Sequence, residues 1–412
     1  MAGGSVVTTP EQDADIRAGL SRPRPVDNNN GGQMKIKANK VAAMLKHSGQ
    51  IVQKRKHGQR DIALPFATAV LMAKGGMLIV LLQRRGLSVS RATEFNHESP
   101  WVAVVDAQTL SQAVRQFGTR AVSLRPTAQG GVSISDEAAV IKVGCGGQAP
   151  EQVWAAGPSS RITVGTEAFR DALRRAASAA STNPHRADLT AVQFKVGVGP
   201  SGEPALELVG TDGHRLVAES ISVADISPPK VFYVGSTDCR LIAKLLPAAG
   251  QTQVHIMGDH VFLQTEGVLS VWCAQAHVNF LDWQKALSLG DLSASAVIEC
   301  GTADLIRAFA HAGVAATGVA HVVRFHITST GGQVTAKATR GKGGVGCKAL
   351  VGGKSRGSAT IGVNYRLMVE TLRQLPKGCA VKVTVHGSLD PICIESSEVP
   401  ELLAVVMPAR LG

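Results

Sequence analysis

Asp212, His214 and Arg215 crowd into the run Gly210-Thr211-Asp212-Gly213-His214-Arg215-Leu216. A carboxylate two positions from an imidazole is raw material for general acid–base catalysis. Gly213 between them signals a turn, which would not align them as a strand would. No serine or cysteine nucleophile with an oxyanion loop lies nearby in sequence. His214 is therefore expected to be structural. A nucleic-acid enzyme using Asp212 and His214 is the rival reading, and it predicts activity that His214→Ala abolishes.

Two further motifs invite chemistry and fail on context. Gly-Gly-Gln, a catalytic signature in peptide release factors, occurs at Gly31–Gln33, Gly146–Gln148 and Gly331–Gln333. The third lies between two strand-like runs, Val323–Thr328 and Val334–Ala338, where its glycines suit a hairpin turn. Gly353-Lys354-Ser355 ends like a phosphate-binding loop, but Lys348 stands where that loop needs another glycine, and no helix pattern follows. Gly341 to Gly357 is expected to be flexible loop. The 7 cysteines are scattered and never spaced C-x-x-C, so neither a zinc site nor a disulfide framework is expected. No metal and no cofactor is expected.

The 412 residues suit two or three domains. Hydrophobic residues at 44% and charged residues at 18% indicate a globular chain, and with aromatic residues at 4% the cores must come from Val, Leu, Ile and Ala. A formal net charge of +12 favours a polyanionic partner, nucleic acid first. No apolar run spans a membrane and no signal sequence opens the chain, so a cytoplasmic, nucleoid-associated protein without membrane contact is expected.

These residues must be held by elements that repeat. Val41/Met44/Leu45, Phe169/Ala172/Leu173 and Leu305/Ala308/Phe309 share an i, i+3, i+4 spacing, each after a short alternating strand. A second amphipathic helix follows each: 107–117, 237–246 and 365–375. Strand-like segments such as Ala205–Gly210, Val254–Met257 and Val381–Val385 run between. The reading is α+β: a polar extension expected to be disordered (residues 1–33, with Met34 a candidate initiator) and three similar domains, 34–156, 157–290 and 291–412. Each domain has two helices packed on antiparallel sheets. The first helices carry basic residues: Lys40, Lys46 and His47; then Arg170 and Arg174 with Arg175 beside them; then Arg307 and His311. Arg366 and Arg373 lie on the last helix.

The chain ends Val405-Val406-Met407-Pro408-Ala409-Arg410-Leu411-Gly412, an apolar strand with a proline-stiffened tip where fraying polar residues are usual. Together with Gly210–Leu216, this resembles the β subunit of bacterial DNA polymerase III, the sliding clamp, in which ATDGHRL lies mid-chain and VMPMRL ends it. Ile361-Gly362-Val363-Asn364 and Phe280-Leu281-Asp282-Trp283 are similar to that family's IGFN and FPDY segments. The resemblance covers roughly 34–411, weakest in the first repeat. It implies the DNA-clamp fold and a head-to-tail homodimer ring that encircles double-stranded DNA without catalysis. The ring would tether the polymerase III α subunit and bind the clamp loader and other clamp-motif peptides. It further implies a pocket for Gln-Leu-x-Leu-Phe-like peptides at Leu189, Thr211, Gly213, His214, Arg215, Leu216, Asn364, Val405, Val406, Met407, Pro408, Arg410 and Leu411. Four pocket positions depart from the family: Leu281 replaces a proline, Lys285 an arginine, Leu367 a tyrosine and Ala409 a methionine. Implied DNA-facing residues are Lys46, Arg60, Arg170, Arg174, Arg186, Arg307 and Arg366. The implied dimer interface sets Val314 and Ala315 against Ile141, smaller side chains than the family's and hence a weaker dimer. A diverged second clamp, resistant to an inhibitor or serving a mobile element, is the alternative within that resemblance.

Overall fold

The computed structural model describes residues 35–51, 68–84, 86–97, 99–144, 160–199, 202–224, 230–265, 269–287, 293–316, 321–340 and 343–411. The N-terminal extension, the first two Gly-Gly-Gln runs, Arg60, Cys145 and Gly412 lie outside these residues. The chain divides into two compact units, Met1–Val153 with Gly267–Ser270, and Trp154–Glu266 with Val271–Gly412.

In the first unit, β1 (Lys35–Lys37), α1 (Ala38–Met44) and α2 (Ser48–Ile51) precede β2 (Thr68–Lys74), β3 (Met77–Arg84), β4 (Leu87–Glu94) and β5 (Trp101–Asp106). Then come α3 (Ala107–Gln116), β6 (Ala121–Pro126), β7 (Val132–Ser135) and β8 (Val140–Val143). The strands order as β1-β6-β7-β8 and β5-β2-β3-β4. Asp106 caps α3, its carboxylate accepting the Thr109 N–H at 2.7 Å, which satisfies one of the helix's free donors. At the other end of α1, Arg91 Nη1 donates to the carbonyls of Ala43, Met44 and Lys46 at 3.1, 3.0 and 2.9 Å. A cation there meets the negative end of the helix dipole.

The second unit begins with β9 (Ser160–Gly165), α4 (Thr166–Ala179), β10 (Ala191–Val198), β11 (Pro204–Thr211), β12 (Arg215–Ser222) and β13 (Lys230–Gly235). Next are α5 (Ser236–Leu245), β14 (Gln251–Met257), β15 (His260–Thr265), β16 (Leu269–Ala274, of which Leu269 and Ser270 are counted with the first unit) and the short α6 (Trp283–Leu287). Its last part holds β17 (Ala296–Gly301), α7 (Thr302–Gly313), β18 (Val322–Thr328), β19 (Gly331–Arg340), β20 (Gly343–Val351), β21 (Lys354–Gly357) and β22 (Ala359–Asn364). It closes with α8 (Tyr365–Leu372), β23 (Ala380–Val385), β24 (Ile392–Ser396) and β25 (Val399–Val406). A nine-stranded antiparallel sheet, β13-β10-β11-β12-β25-β24-β23-β17-β21, runs through this unit, flanked by β20-β19-β18-β22 and by β16-β15-β14-β9. Its centre is the β12–β25 pairing, which joins distant segments of the chain, as in Leu216 opposite Val405.

Helices form where the apolar spacing predicts them. Phe169, Ala172, Leu173 and Ala176 of α4 are buried, and α4 packs on α5 and on β11 and β12. Leu305, Ala308, Phe309 and Ala312 of α7 enter a core with Met368 and Leu372 of α8 and with inward residues of both neighbouring sheets. As the composition requires, that core is mostly Val, Leu, Ile and Ala.

Three expectations are corrected. The glycine-rich stretch is not a loop over most of its length: β20 pairs along β19, and β21 pairs with β17. Glycine serves close approach there, since a Cβ at Gly353 or Gly357 would fall 2.2 Å from Glu299 O or 2.1 Å from Ser295 O. Arg175 does not share an exposed basic face. It is buried, its Nε and Nη2 each 2.6 Å from an oxygen of Glu219 on β12. The β18–β19 turn is made by Ser329 and Thr330, and Gly331 and Gly332 already pair with Thr328 and Ile327 in the ladder.

Candidate functional site

Each residue of Gly210–Leu216 has a separate structural task. At Gly210, β11 passes so close to α4 that a Cβ would lie 1.9 Å from Ala176 O. Thr211 is buried, donates from Oγ1 to the Arg215 carbonyl at 2.7 Å, and accepts the Gly213 N–H at 3.0 Å. Asp212 Oδ1 accepts the N–H groups of His214 and Arg215, both at 2.9 Å. Gly213 adopts φ +85, a left-handed conformation that favours glycine.

Arg215 ties this turn to two helices. Its Nε donates to Asp212 Oδ2 at 3.1 Å, its Nη2 to the Ser178 carbonyl near the end of α4 at 3.0 Å, and its Nη1 to Glu370 Oε2 on α8 at 2.8 Å. Arg240 of α5 adds a second cation at the same helix end, donating to Ala177 O at 2.6 Å and Ala180 O at 3.2 Å, and burial lowers its pKa. Two guanidiniums thus neutralise the carbonyl end of α4. The arrangement leaves no acid–base pair at this turn: both Asp212 oxygens are occupied by Arg215 and the turn amides, while His214 is exposed.

The tail is held along its length. After β25 leaves its pairing with β12 and β24, Met407 N–H donates to the His214 carbonyl at 2.8 Å. Pro408 then bridges to Val363 of β22, and Ala409 N–H donates to Gly362 O at 2.8 Å. Gly362 is obligatory here, because a Cβ would meet Ala409 O at 2.1 Å. Met407, Pro408 and Ala409 therefore bind both the β11–β12 turn and β22.

On the outer side of the nine-stranded sheet, Leu216 and Val405 are buried with Val209, Ala218 and Cys393, and Phe280, Trp283, Leu287 and Leu403 pack against them. Burial raises the Cys393 thiol to about 11, so it behaves as an apolar core residue. Tyr233 stacks on Phe280 at 5.9 Å, and Asp188 accepts the Asn279 N–H at 3.1 Å, which anchors the segment leading to α6.

The expected pocket residues fall into three groups. Thr211, Leu216, Val405 and Val406 are buried. Leu189, Arg215, Asn364, Leu367, Met407, Pro408 and Ala409 are half-buried around them. Gly213, His214, Leu281, Lys285, Arg410 and Leu411 are exposed. Asn364 is also the N-cap of α8, accepting the N–H groups of Arg366 and Leu367 at 3.0 and 3.3 Å. Lys285 pairs with Asp282 at 3.0 Å, and its hydrogen bond holds that carboxyl below its ordinary value. Ser178 and Glu370 belong to the same assembly and carry no sequence signal of their own, whereas Phe280 and Trp283 come from the segment similar to the family's FPDY.

Among the expected DNA-facing residues, Arg174 is exposed and donates to Gln374 Oε1 at 3.3 Å, and exposed Arg366 lies over the Tyr365 ring. Arg170 pairs with Asp171 at 3.3 Å and with Glu167 at 3.8 Å, and Arg307 pairs with Asp304. Arg186 sits at the turn, donating to the Asp212 carbonyl at 2.8 Å beside Gly213. Lys46 is exposed in the first unit. Of the expected interface residues, Val314 is 76% exposed and Ile141 is half-buried on the edge strand β8. Ala315 is buried in its own unit's core and offers no side chain to another chain.

No protein-family model matches the chain, and no curated protein matches it. Solved structures do. A sliding clamp (DNA polymerase III subunit beta) from Pseudomonas aeruginosa, bound to griselimycin, matches at TM-score 0.81 and 17% identity over 92% of this chain and 100% of that one. The DNA polymerase β subunit of Streptococcus pyogenes matches at 0.80 and 15%, and the Bacillus subtilis sliding clamp at 0.79 and 16%, each with the same coverage. The chain therefore has the fold of the bacterial DNA sliding clamps.

Proposed function

We propose that this protein is a DNA sliding clamp, a non-catalytic processivity factor that works as a ring-shaped homodimer around duplex DNA. The observation that carries this reading is the tail: its backbone bonds to His214 on one side and Gly362 on the other, beside the Leu216–Val405 cluster. A terminus tethered in this way shapes an apolar cleft with few polar fixtures, suited to Leu and Phe side chains of an extended peptide. The pocket comprises the residues grouped above, with Arg186 added at its rim, and its occupants are the polymerase α subunit, the clamp loader and other partners with such motifs.

In this reading the domains are 34–156, 157–290 and 291–412, and their helix pairs line the pore. Arg174 and Arg366 are exposed and meet no carboxylate within ion-pairing distance among the described residues, which suits contact with passing phosphates. Sliding needs contacts that ignore sequence, and phosphate contacts do. Arg170 and Arg307 are partly neutralised by acids on their own helices and contribute less. Val314 and the β8 edge near Ile141 belong to the dimer contact. Retention on circular DNA after loading, lost when the circle is cut, is the test.

A further inference from the structure

Between Asp304 and Glu370 the chain holds nine lysines and arginines and not one aspartate or glutamate. Much of this charge belongs to the sheet β20-β19-β18-β22, whose inner face packs on the core of α7 and α8. Register shows what lies on its outer face. Arg324 stands opposite Gly362 on one side and Thr335 on the other, and Thr335 stands opposite Lys348. The next row is Thr360, His326, Gln333 and Leu350, with His326 Nδ1 2.7 Å from Thr360 Oγ1. Arg324 and Lys348 are exposed, Leu350 is 73% exposed, and neither cation has an ion pair among the described residues.

The outer face of the nine-stranded sheet is built differently. Its row Glu395, Lys382, Glu299, Lys354 alternates in sign, with Lys382 and Glu395 2.7 Å apart. One outer face is self-neutralised and the other is left positive.

We infer that the outer face of the β18–β22 sheet is a docking surface for an acidic stretch of a partner protein, next to the short apolar motif that the proposed cleft takes. Continuity supports this occupant. The row that begins at Gly362 starts where Ala409 and Leu411 lie against β22, so a peptide leaving the cleft passes onto Arg324 and then Lys348. Single-stranded nucleic acid fits less well, because stacking platforms need several aromatic side chains and this face presents no Phe, Tyr or Trp among its described residues, only His326 tied to Thr360. The inference rests on the cleft reading, so its test separates the two.

The probes are a synthetic peptide with a Gln-Leu-x-Leu-Phe core, the same peptide with a four-aspartate flank, the flank alone, and an oligothymidylate. Binding of each to the full chain is followed by fluorescence anisotropy at low and high salt. The flank is expected to tighten binding about threefold to tenfold at low salt, the range of two exposed ion pairs. The double reversal R324E/K348E is expected to remove that gain while leaving the unflanked peptide and the melting temperature unchanged. A flank that adds nothing, or a gain that survives the reversal, overturns the inference and leaves the cleft reading standing. If the unflanked peptide does not bind, the cleft reading fails, and the surface is judged on the flank alone: salt-sensitive binding lost in R324E/K348E supports it, and no binding overturns it. Reversal-sensitive oligothymidylate binding without a flank effect reassigns the face to nucleic acid and overturns the proposal.

Discussion

Arg215→Ala removes one side chain that serves three elements, and the cost follows from its contacts. The side chain is 12% exposed and its Asp212 partner 18%, so that charge-assisted bond is worth about 2 kcal/mol. The bond to the Ser178 carbonyl adds about 1 kcal/mol. The pair with Glu370, itself 54% exposed, adds less than about 1 kcal/mol. The sum is about 3 kcal/mol, or a melting-temperature drop of roughly 6–12 °C for a unit of this size. Glu370→Gln keeps the buried contacts and should lower it by no more than roughly 4 °C. Calorimetry of both variants tests the ranking. If Glu370→Gln costs as much as Arg215→Ala, or if Arg215→Ala shifts the transition by less than about 2 °C, the linking role assigned to Arg215 is wrong.

Other perturbations address single contacts. Gly362→Ala should push Ala409 off β22 and weaken binding of a Gln-Leu-x-Leu-Phe peptide about tenfold or more with the fold retained, since the added Cβ meets only tail atoms within 3.1 Å; unchanged affinity in titration calorimetry would remove the tail from the cleft. Arg175→Met should cost about 3–5 kcal/mol by stranding Glu219, whereas Arg175→Met with Glu219→Leu should recover most of it in urea denaturation; additive losses would contradict the buried pair. Arg174→Ala and Arg366→Ala should each lower the slope of log affinity for duplex DNA against log salt by about 1, uniformly across sequences, and sequence-selective losses would place them elsewhere.

Several parts of this architecture were legible in the sequence for local reasons. The i, i+3, i+4 stripes of α4 and α7 fix helix faces without reference to the rest of the chain. Gly210–Leu216 and the apolar tail were recognisable as a pair, although their meeting across the β12–β25 ladder is a long-range event that spacing alone does not fix. What stayed hidden depended on tertiary neighbours. Arg175 looked like part of a basic face beside Arg174, but its partner lies on a strand 44 residues away. Gly357 looked like a loop residue because glycine in a strand signals only that something approaches closely, not what. Ser178 contributes a carbonyl, which no side-chain pattern reports. Arg186 sat in a polar run and gave no hint that it bonds the turn at Asp212.

The measurement closest to the central claim is retention of the loaded protein on nicked circular DNA before and after the circle is linearised. A clamp loader places the protein on the circle, gel filtration separates bound from free, and a single cut opens a free end. Retention through moderate salt is expected on the circle, and rapid loss once the circle is cut, because the link is topological. Equal loss from circle and linear form, governed by salt alone, would reduce the binding to surface electrostatics and would contradict encirclement.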